Sequence, residues 1–291
     1  MSTSEEEKII TVDIYRYEYS LKKIKHYSCT GVNYFHDNEI NFSKTFLSIL
    51  INCINSNKNI NYLNFKQLIG YSNIFVDRFI RNEVFNLTNL KTLKISVDAP
   101  KERYNKEKYP ISNINGIGNL VNLENLSINI FKIPTISPEI GNMTNLKNLD
   151  LRFNYIESIP SEIGNLVNLK KLDLLGNKIR EVPNSIGNLE NLEKLNLAEN
   201  EISEVPSELE NCKKLRYLNL VQNKIEKLPK ELFVFENIRC YLAQNPLNCN
   251  TLREYKLTVE NEELKTMVKY MPGGDGYLEA KEHFDGLQEN N

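Results

Sequence analysis

The chain has 291 residues, beyond the length at which a single compact core stops growing, so it folds either as several domains or as an array of small units packed on their neighbours. Its formal net charge is −2, with 36 Lys and Arg against 38 Asp and Glu, which argues against the concentrated basic face that nucleic acid or an anionic membrane requires. It has no run of about 18 apolar residues, so no membrane-spanning helix is expected. The acidic start MSTSEEEKII is unlike a secretory signal. The cysteines Cys29, Cys53, Cys212, Cys240 and Cys249 are scattered and odd in number, which fits a reduced, cytoplasmic setting.

Along the chain, residues 9–19 alternate as a strand does. The segment Asn41–Asn55, with Phe46, Leu47, Leu50 and Ile51 spaced for one face, predicts an amphipathic helix. Ile60, Leu63 and Phe65 form a faint apolar strand pattern, and Leu90, Leu93, Ile95 and Asp98 a clearer one. The charged stretch Pro100–Tyr109 (PKERYNKEKY) then lengthens that unit by about ten residues. These features divide the chain into a divergent N-terminal cap with degenerate repeats over 1–80 and repeats over 81–249.

The repeats are strict in the middle of the chain. Pro160, Pro183, Pro206 and Pro229 stand 23 apart, as do Asn154, Asn177, Asn200 and Asn223, and Gly118, Gly141, Gly164 and Gly187. Coincidence of three residue types in one period marks a repeat architecture. Leu149 and Leu151 alternate across a short strand and so point to one side. Leu172 and Leu174, Leu195 and Leu197, and Leu218 and Leu220 do the same. Stacking these strands makes a parallel sheet with a Leu-lined core. Each Asn turns the chain inward and has an amide able to satisfy buried backbone groups of its own and the adjacent coil. Each Pro stiffens the return arm, and Ile-Gly-Asn-Leu forms a short helix or turn on the outer side. The four regular coils span 140–231. In the unit starting at Ile117, Phe131 replaces the Asn and Ser137 the Pro, so that coil is expected to be distorted. After Asn223, Cys240, Leu242 and Asn245 keep the strand end one residue short. Residues 250–272 are expected to form a helical C-terminal cap with the stripe Leu257, Leu264, Val268 and Met271, followed by a flexible Gly-rich and polar tail over 273–291.

These motifs, over residues 117–245, resemble the typical 23-residue class of leucine-rich repeats. The form L-x-x-L-x-L-x-x-N-x-I-x-x-I-P-x-x-I-G-x-L-x-N-L is similar to that of intracellular Ras-related signalling scaffolds and their plant relatives. The Gly of the extracellular plant class, Leu-x-Gly-x-Ile-Pro, is missing. The resemblance implies an α/β fold, a leucine-rich-repeat solenoid: a curved, right-handed coil with its parallel sheet on the concave face, irregular N-terminal coils and a helical C-terminal cap. It implies a non-enzymatic adaptor or scaffold in intracellular signalling, binding another protein as a monomer.

On that fold the strand residues between the leucines face the concave side. They are Asn148, Asp150 and Arg152; Lys171, Asp173 and Leu175; Lys194, Asn196 and Ala198; Tyr217, Asn219 and Val221. Phe153 and Glu199 stand at strand ends, and earlier coils add Asn125, Ser127 and Asn129. Of these, Asp150, Arg152, Phe153, Lys171, Asp173, Leu175, Lys194, Asn196, Tyr217, Asn219 and Val221 are the candidate protein-binding residues, since Tyr and Arg are common anchors at interfaces. The bland alternative is a solvated face whose mixed charges only keep the chain soluble.

No cofactor, metal or catalytic set is expected. His26, His36 and His283 have no Cys or carboxylate at metal-ligand spacing. Cys29 has no local base, and Cys212 and Cys240 occupy core-like positions. Gly273, Gly274 and Gly276 follow no strand, as a phosphate loop would. The Asn-X-Ser/Thr matches at Asn86, Asn125 and Asn142 read as by-products of the repeat. Two competing readings remain: a repeat module attached to or regulating an enzyme, and an enzyme with its catalytic segment in 1–80 or 250–291.

Overall fold

The computed structural model describes residues 9–13, 62–66, 80–96, 111, 113–234 and 238–247. The expected helix at 41–55, the 100–109 insertion, the 250–272 cap and the 273–291 tail lie outside the described residues, as do Asp98, Cys29, Cys53, Cys249 and the three histidines. The chain divides into two compact units, Met1–Tyr155 and Ile156–Asn291.

In the first unit, β1 (Ile9–Asp13), β2 (Tyr62–Lys66), β3 (Thr92–Ser96), β4 (Asn125–Ile128) and β5 (Asn148–Asp150) pair in parallel in sequence order. Their register aligns Ile10, Leu63, Leu93, Leu126 and Leu149. The faint patterns at Leu63 and Leu93 are therefore coils of the same array. In the second unit, β6 (Lys171–Asp173), β7 (Lys194–Asn196), β8 (Tyr217–Asn219) and β9 (Arg239–Tyr241) pair in the same way, with Leu172, Leu195, Leu218 and Cys240 aligned. The aligned strand leucines of both units are at most 1% exposed, and burial of such side chains is the main driving force for folding.

The inward-turning asparagines are saturated. Asn200 Oδ1 accepts from Ile179 N at 3.0 Å, and its Nδ2 lies 3.0–3.1 Å from the carbonyls of Leu174, Leu197 and Ala198. Asn223 repeats this toward Ile202 N, Leu197 O and Leu220 O, and Asn245 toward Ile225 N, Leu220 O and Leu242 O. In the first unit Asn154 accepts from Phe131 N and donates to Ile128 O and Leu151 O. Each amide thus ties one coil to the preceding one. A second asparagine column runs outside, from the L-x-N-L positions: Asn122 donates to Thr88 O, Asn145 to Val121 O and Asn191 to Val167 O, all at 2.8–3.0 Å.

On the outer side each coil makes a single 3₁₀ turn, at Pro138–Asn142, Ser161–Asn165, Asn184–Asn188, Ser207–Asn211 and Lys230–Val234. The repeat prolines immediately precede these turns in extended conformation, and their carbonyls accept the closing bond, as from Ile186 N to Pro183 O at 3.0 Å. The glycines stand where neighbouring turns nearly touch. A Cβ on Gly164 would lie 2.6 Å from Ser185 O, and one on Gly187 only 2.3 Å from Glu208 O. In the next coil Glu210 takes the glycine position.

The coil at Ile117 is less distorted than its sequence suggests. Ser137 has φ −62° and ψ 137°, close to Pro160, and its hydroxyl caps Glu139 N, so the turn forms with Pro138 as its first residue. The departure is at the inner corner. Phe131 is buried without a ladder amide, and Asn129, two residues earlier, leaves Oδ1 buried with no hydrogen-bond partner.

Two changes test this stacking. Gly187→Ala is expected to destabilise the chain by about 1–3 kcal/mol through overpacking, while Asn188→Ala, exposed on the same turn, stays within about 0.5 kcal/mol; urea unfolding distinguishes them. Asn200→Leu removes partners from one amide and three carbonyls and is expected to cost about 2–4 kcal/mol. A midpoint unchanged from wild type would remove the ladder from the list of stabilising features.

Candidate functional site

The strand residues between the leucines share the polar face of each sheet, and the two units present different chemistry there. In the first unit the face carries a hydrogen-bond network around Asp150. Arg152 grips the carboxylate with Nε on Oδ1 at 3.0 Å and Nη2 on Oδ2 at 3.1 Å. Asn129 Nδ2 and Ser127 Oγ donate to Oδ2 from the neighbouring coil at 2.8 and 3.3 Å, and Arg152 N donates to Oδ1. The side chains of Arg152 and Asp150 are 18% and 15% exposed, so this charge-assisted fork is partly shielded from water. Phe153, half-exposed beside it, holds φ 55°. Ile130, Glu199, Gln222 and Gln244 occupy the same left-handed corner in other coils, and Gly176 does so without a Cβ penalty.

The face of the second unit has three rows across β6–β9. The outer row is Lys171, Lys194, Tyr217 and Arg239, in register. Lys171 and Lys194 are half-buried and Arg239 is exposed. Burial, and then the adjacent Lys171 charge, hold the Lys194 ammonium below the ordinary lysine range, with Glu193 pulling the other way. Tyr217 is 3% exposed, and its ring lies 5.3 Å from that of Tyr241. The inner row begins Asp173, Asn196, Asn219. Each turns its Oδ1 back on the amide two residues ahead, to Leu175 N at 3.2 Å, Ala198 N at 3.3 Å and Val221 N at 3.2 Å. Asp150 makes the same contact in the first unit. The third row is Leu175, Ala198, Val221 and Ala243, all buried.

Of the sequence candidates, Asp150, Arg152, Phe153, Lys171 and Lys194 retain access to solvent. Asp173, Leu175, Asn196, Tyr217, Asn219 and Val221 are each at most 3% exposed. Alternation assigns a side chain to a face without fixing its access. A short Asp or Asn can fold back to cap the end of its own strand, and Tyr217 packs on Tyr241. The sequence reading omitted Arg239 and Tyr241. Their signal was present in Cys240 and Leu242, which place β9 in register and so bring residues 239 and 241 to the polar face.

Burial pushes the Cys212 and Cys240 thiols up to about 12, which suppresses the thiolate. Among the described residues no cluster of three His, Cys, Asp or Glu is placed to hold a metal, and no helix is long and apolar enough to cross a membrane.

Comparison with known proteins agrees with the coil geometry. Residues 134–224 match the family model described as a leucine-rich repeat region. No curated protein matches the sequence. Among solved structures, a leucine-rich-repeat protein of Leptospira interrogans is 27% identical, with TM-score 0.49 over 65% of this chain and 50% of that one. An internalin from Listeria monocytogenes is 22% identical, with TM-score 0.53 over 75% of this chain and 55% of its own. The ectodomain of the plant receptor kinase GASSHO1/SCHENGEN3 from Arabidopsis thaliana, in complex with CASPARIAN STRIP INTEGRITY FACTOR 2, is also 22% identical, with TM-score 0.54 over 68% of this chain. This chain spans 22% of that ectodomain and about half of the two bacterial proteins.

The division into rows predicts unequal effects. Asn196→Ala leaves the Ala198 amide without its acceptor and is expected to lower stability by about 1–2 kcal/mol. Lys194→Ala, one row away, relieves like-charge crowding and is expected to change it by less than about 0.5 kcal/mol. Equal losses on urea unfolding would argue against a capping role for the inner row.

Proposed function

Taking the chain as a leucine-rich-repeat protein, we propose that it is a non-enzymatic adaptor or scaffold of intracellular signalling that binds another protein through the polar face of its sheet. The observation that carries this reading is the second unit's outer row. Lys171, Lys194 and Arg239 stand on a sheet whose inner row caps its own strand ends through Oδ1 and whose asparagine ladder is satisfied internally. Side chains on so rigid a base lose little further backbone freedom on binding, which favours affinity. On the first unit, taken by itself, the Asp150–Arg152 fork is the corresponding polar feature. The plant ectodomain that shares this fold was solved with CASPARIAN STRIP INTEGRITY FACTOR 2 bound, which gives a precedent for recognition by such arrays. The scattered cysteines and the repeat form favour an intracellular setting.

The test compares partners captured by the wild-type chain and by Lys194→Glu/Arg239→Glu, with quantitative mass spectrometry and circular dichroism on both. The variant is expected to fold as wild type and to lose most of the specific partners by about tenfold or more. Identical partner lists from both proteins would refute recognition through this face.

A further inference from the structure

The chain as a whole is slightly acidic, with net charge −2, yet the second unit's sheet face is locally cationic. Lys171, Lys194 and Arg239 form its outer row, and Lys170 and Arg216 precede two of these strands. Among the described residues of these strands and their immediate ends, the carboxylates are Glu193, Asp173 and Glu199. Glu193 pairs with Lys170 at 3.7 Å, Asp173 is 2% exposed and caps Leu175 N, and Glu199 stands at the far corner of its strand. The accessible charge beside β6–β9 is therefore positive.

The row also has a length. Parallel strands are spaced by about 4.8 Å, so Lys171 to Arg239 spans about 14 Å across four strands. In an extended peptide, side chains on one side recur every 6.6–6.8 Å or so, and residues i and i+4 stand about 13 Å apart. Three acidic residues alternating with others would thus match the row from one end to the other. Lys171 and Lys194 are adjacent and repel each other, and a carboxylate brought near the pair relieves that repulsion. Resting on the protein-binding reading above, we infer that the row Lys171, Lys194, Arg239 receives an extended acidic segment of the partner protein, with Asp or Glu at alternate positions.

The probe is a fluorescein-labelled peptide alternating Glu and Thr, titrated with the full chain by anisotropy. Its counterparts are the same peptide with Gln for Glu, vesicles containing phosphatidylserine, and a single-stranded oligonucleotide. The Glu peptide is expected to bind, with affinity falling as salt rises, and the Gln peptide to bind at least about tenfold more weakly. Lys171→Glu/Lys194→Glu is expected to weaken Glu-peptide binding by about tenfold. The equally charged control Lys213→Glu/Lys227→Glu, altering two exposed lysines elsewhere on the unit, is expected to stay within about twofold, with circular dichroism confirming both folds. Equal binding of the Gln peptide, equal losses in both double variants, or tighter uptake of the vesicle or oligonucleotide would each overturn the inference. Failure to bind the Glu peptide by a chain that still captures partners through this face would remove the acidic class alone. Loss of both results would remove the protein-binding reading as well.

Discussion

The structure depends on one constraint: a coil whose strand is only three residues long must satisfy its buried backbone groups by other means. Asn154, Asn200, Asn223 and Asn245 meet that need. Each accepts from an amide of the preceding coil and donates to carbonyls of that coil and its own. An unsatisfied buried group costs about 1–3 kcal/mol, so a few empty rungs would consume much of the 5–15 kcal/mol by which proteins are typically stable. The leucine core supplies the driving force, but the amides allow it to form with so little regular sheet. The glycines complete the arrangement on the outer side, because contacts of 2.3–2.6 Å to a Cβ leave no room for any larger residue at Gly164 and Gly187.

Satisfying the inner corner also decides what the polar face is free to do. Asp173, Asn196 and Asn219 lie on that face and each turns Oδ1 back on its own backbone, leaving the outer row to vary. Lys171, Lys194, Tyr217 and Arg239 occupy equivalent positions and contribute nothing to the ladder amides. In the first unit the equivalent economy takes another form, with Asp150 committed to Arg152, Asn129 and Ser127. A recognition surface of this kind is a layer of variable side chains on an invariant hydrogen-bonded frame.

The frame was legible in the sequence because its parts are strict in type and period. Leu172 and Leu174 announced the core, and Asn177 and its counterparts announced the ladder, since no shorter or aliphatic residue does that work. The reason for the glycines was hidden, because a near-contact between coils leaves no mark on the glycine's own neighbours. The inner row was misleading for a physical reason. Asp and Asn serve equally as solvent-facing and as backbone-capping residues, and alternation carries no information about which role is taken. Tyr217 looked like an anchor and is buried on Tyr241. Arg239 escaped notice because its coil is one residue short. Ser137 looked like a lesion in the repeat, yet Ser-Pro closes the same turn as Pro itself.

Amide hydrogen exchange measures the central claim directly. If the asparagine side chains act as rungs, the amides of Ile179, Ile202 and Ile225, which donate to Asn200, Asn223 and Asn245, are protected as strongly as the amides of Leu174 and Leu197, which follow β6 and β7 directly and donate to the carbonyls of Asn196 and Asn219. Exchange of these isoleucine amides at the rate of open turns, with the leucine amides still protected, would contradict the account.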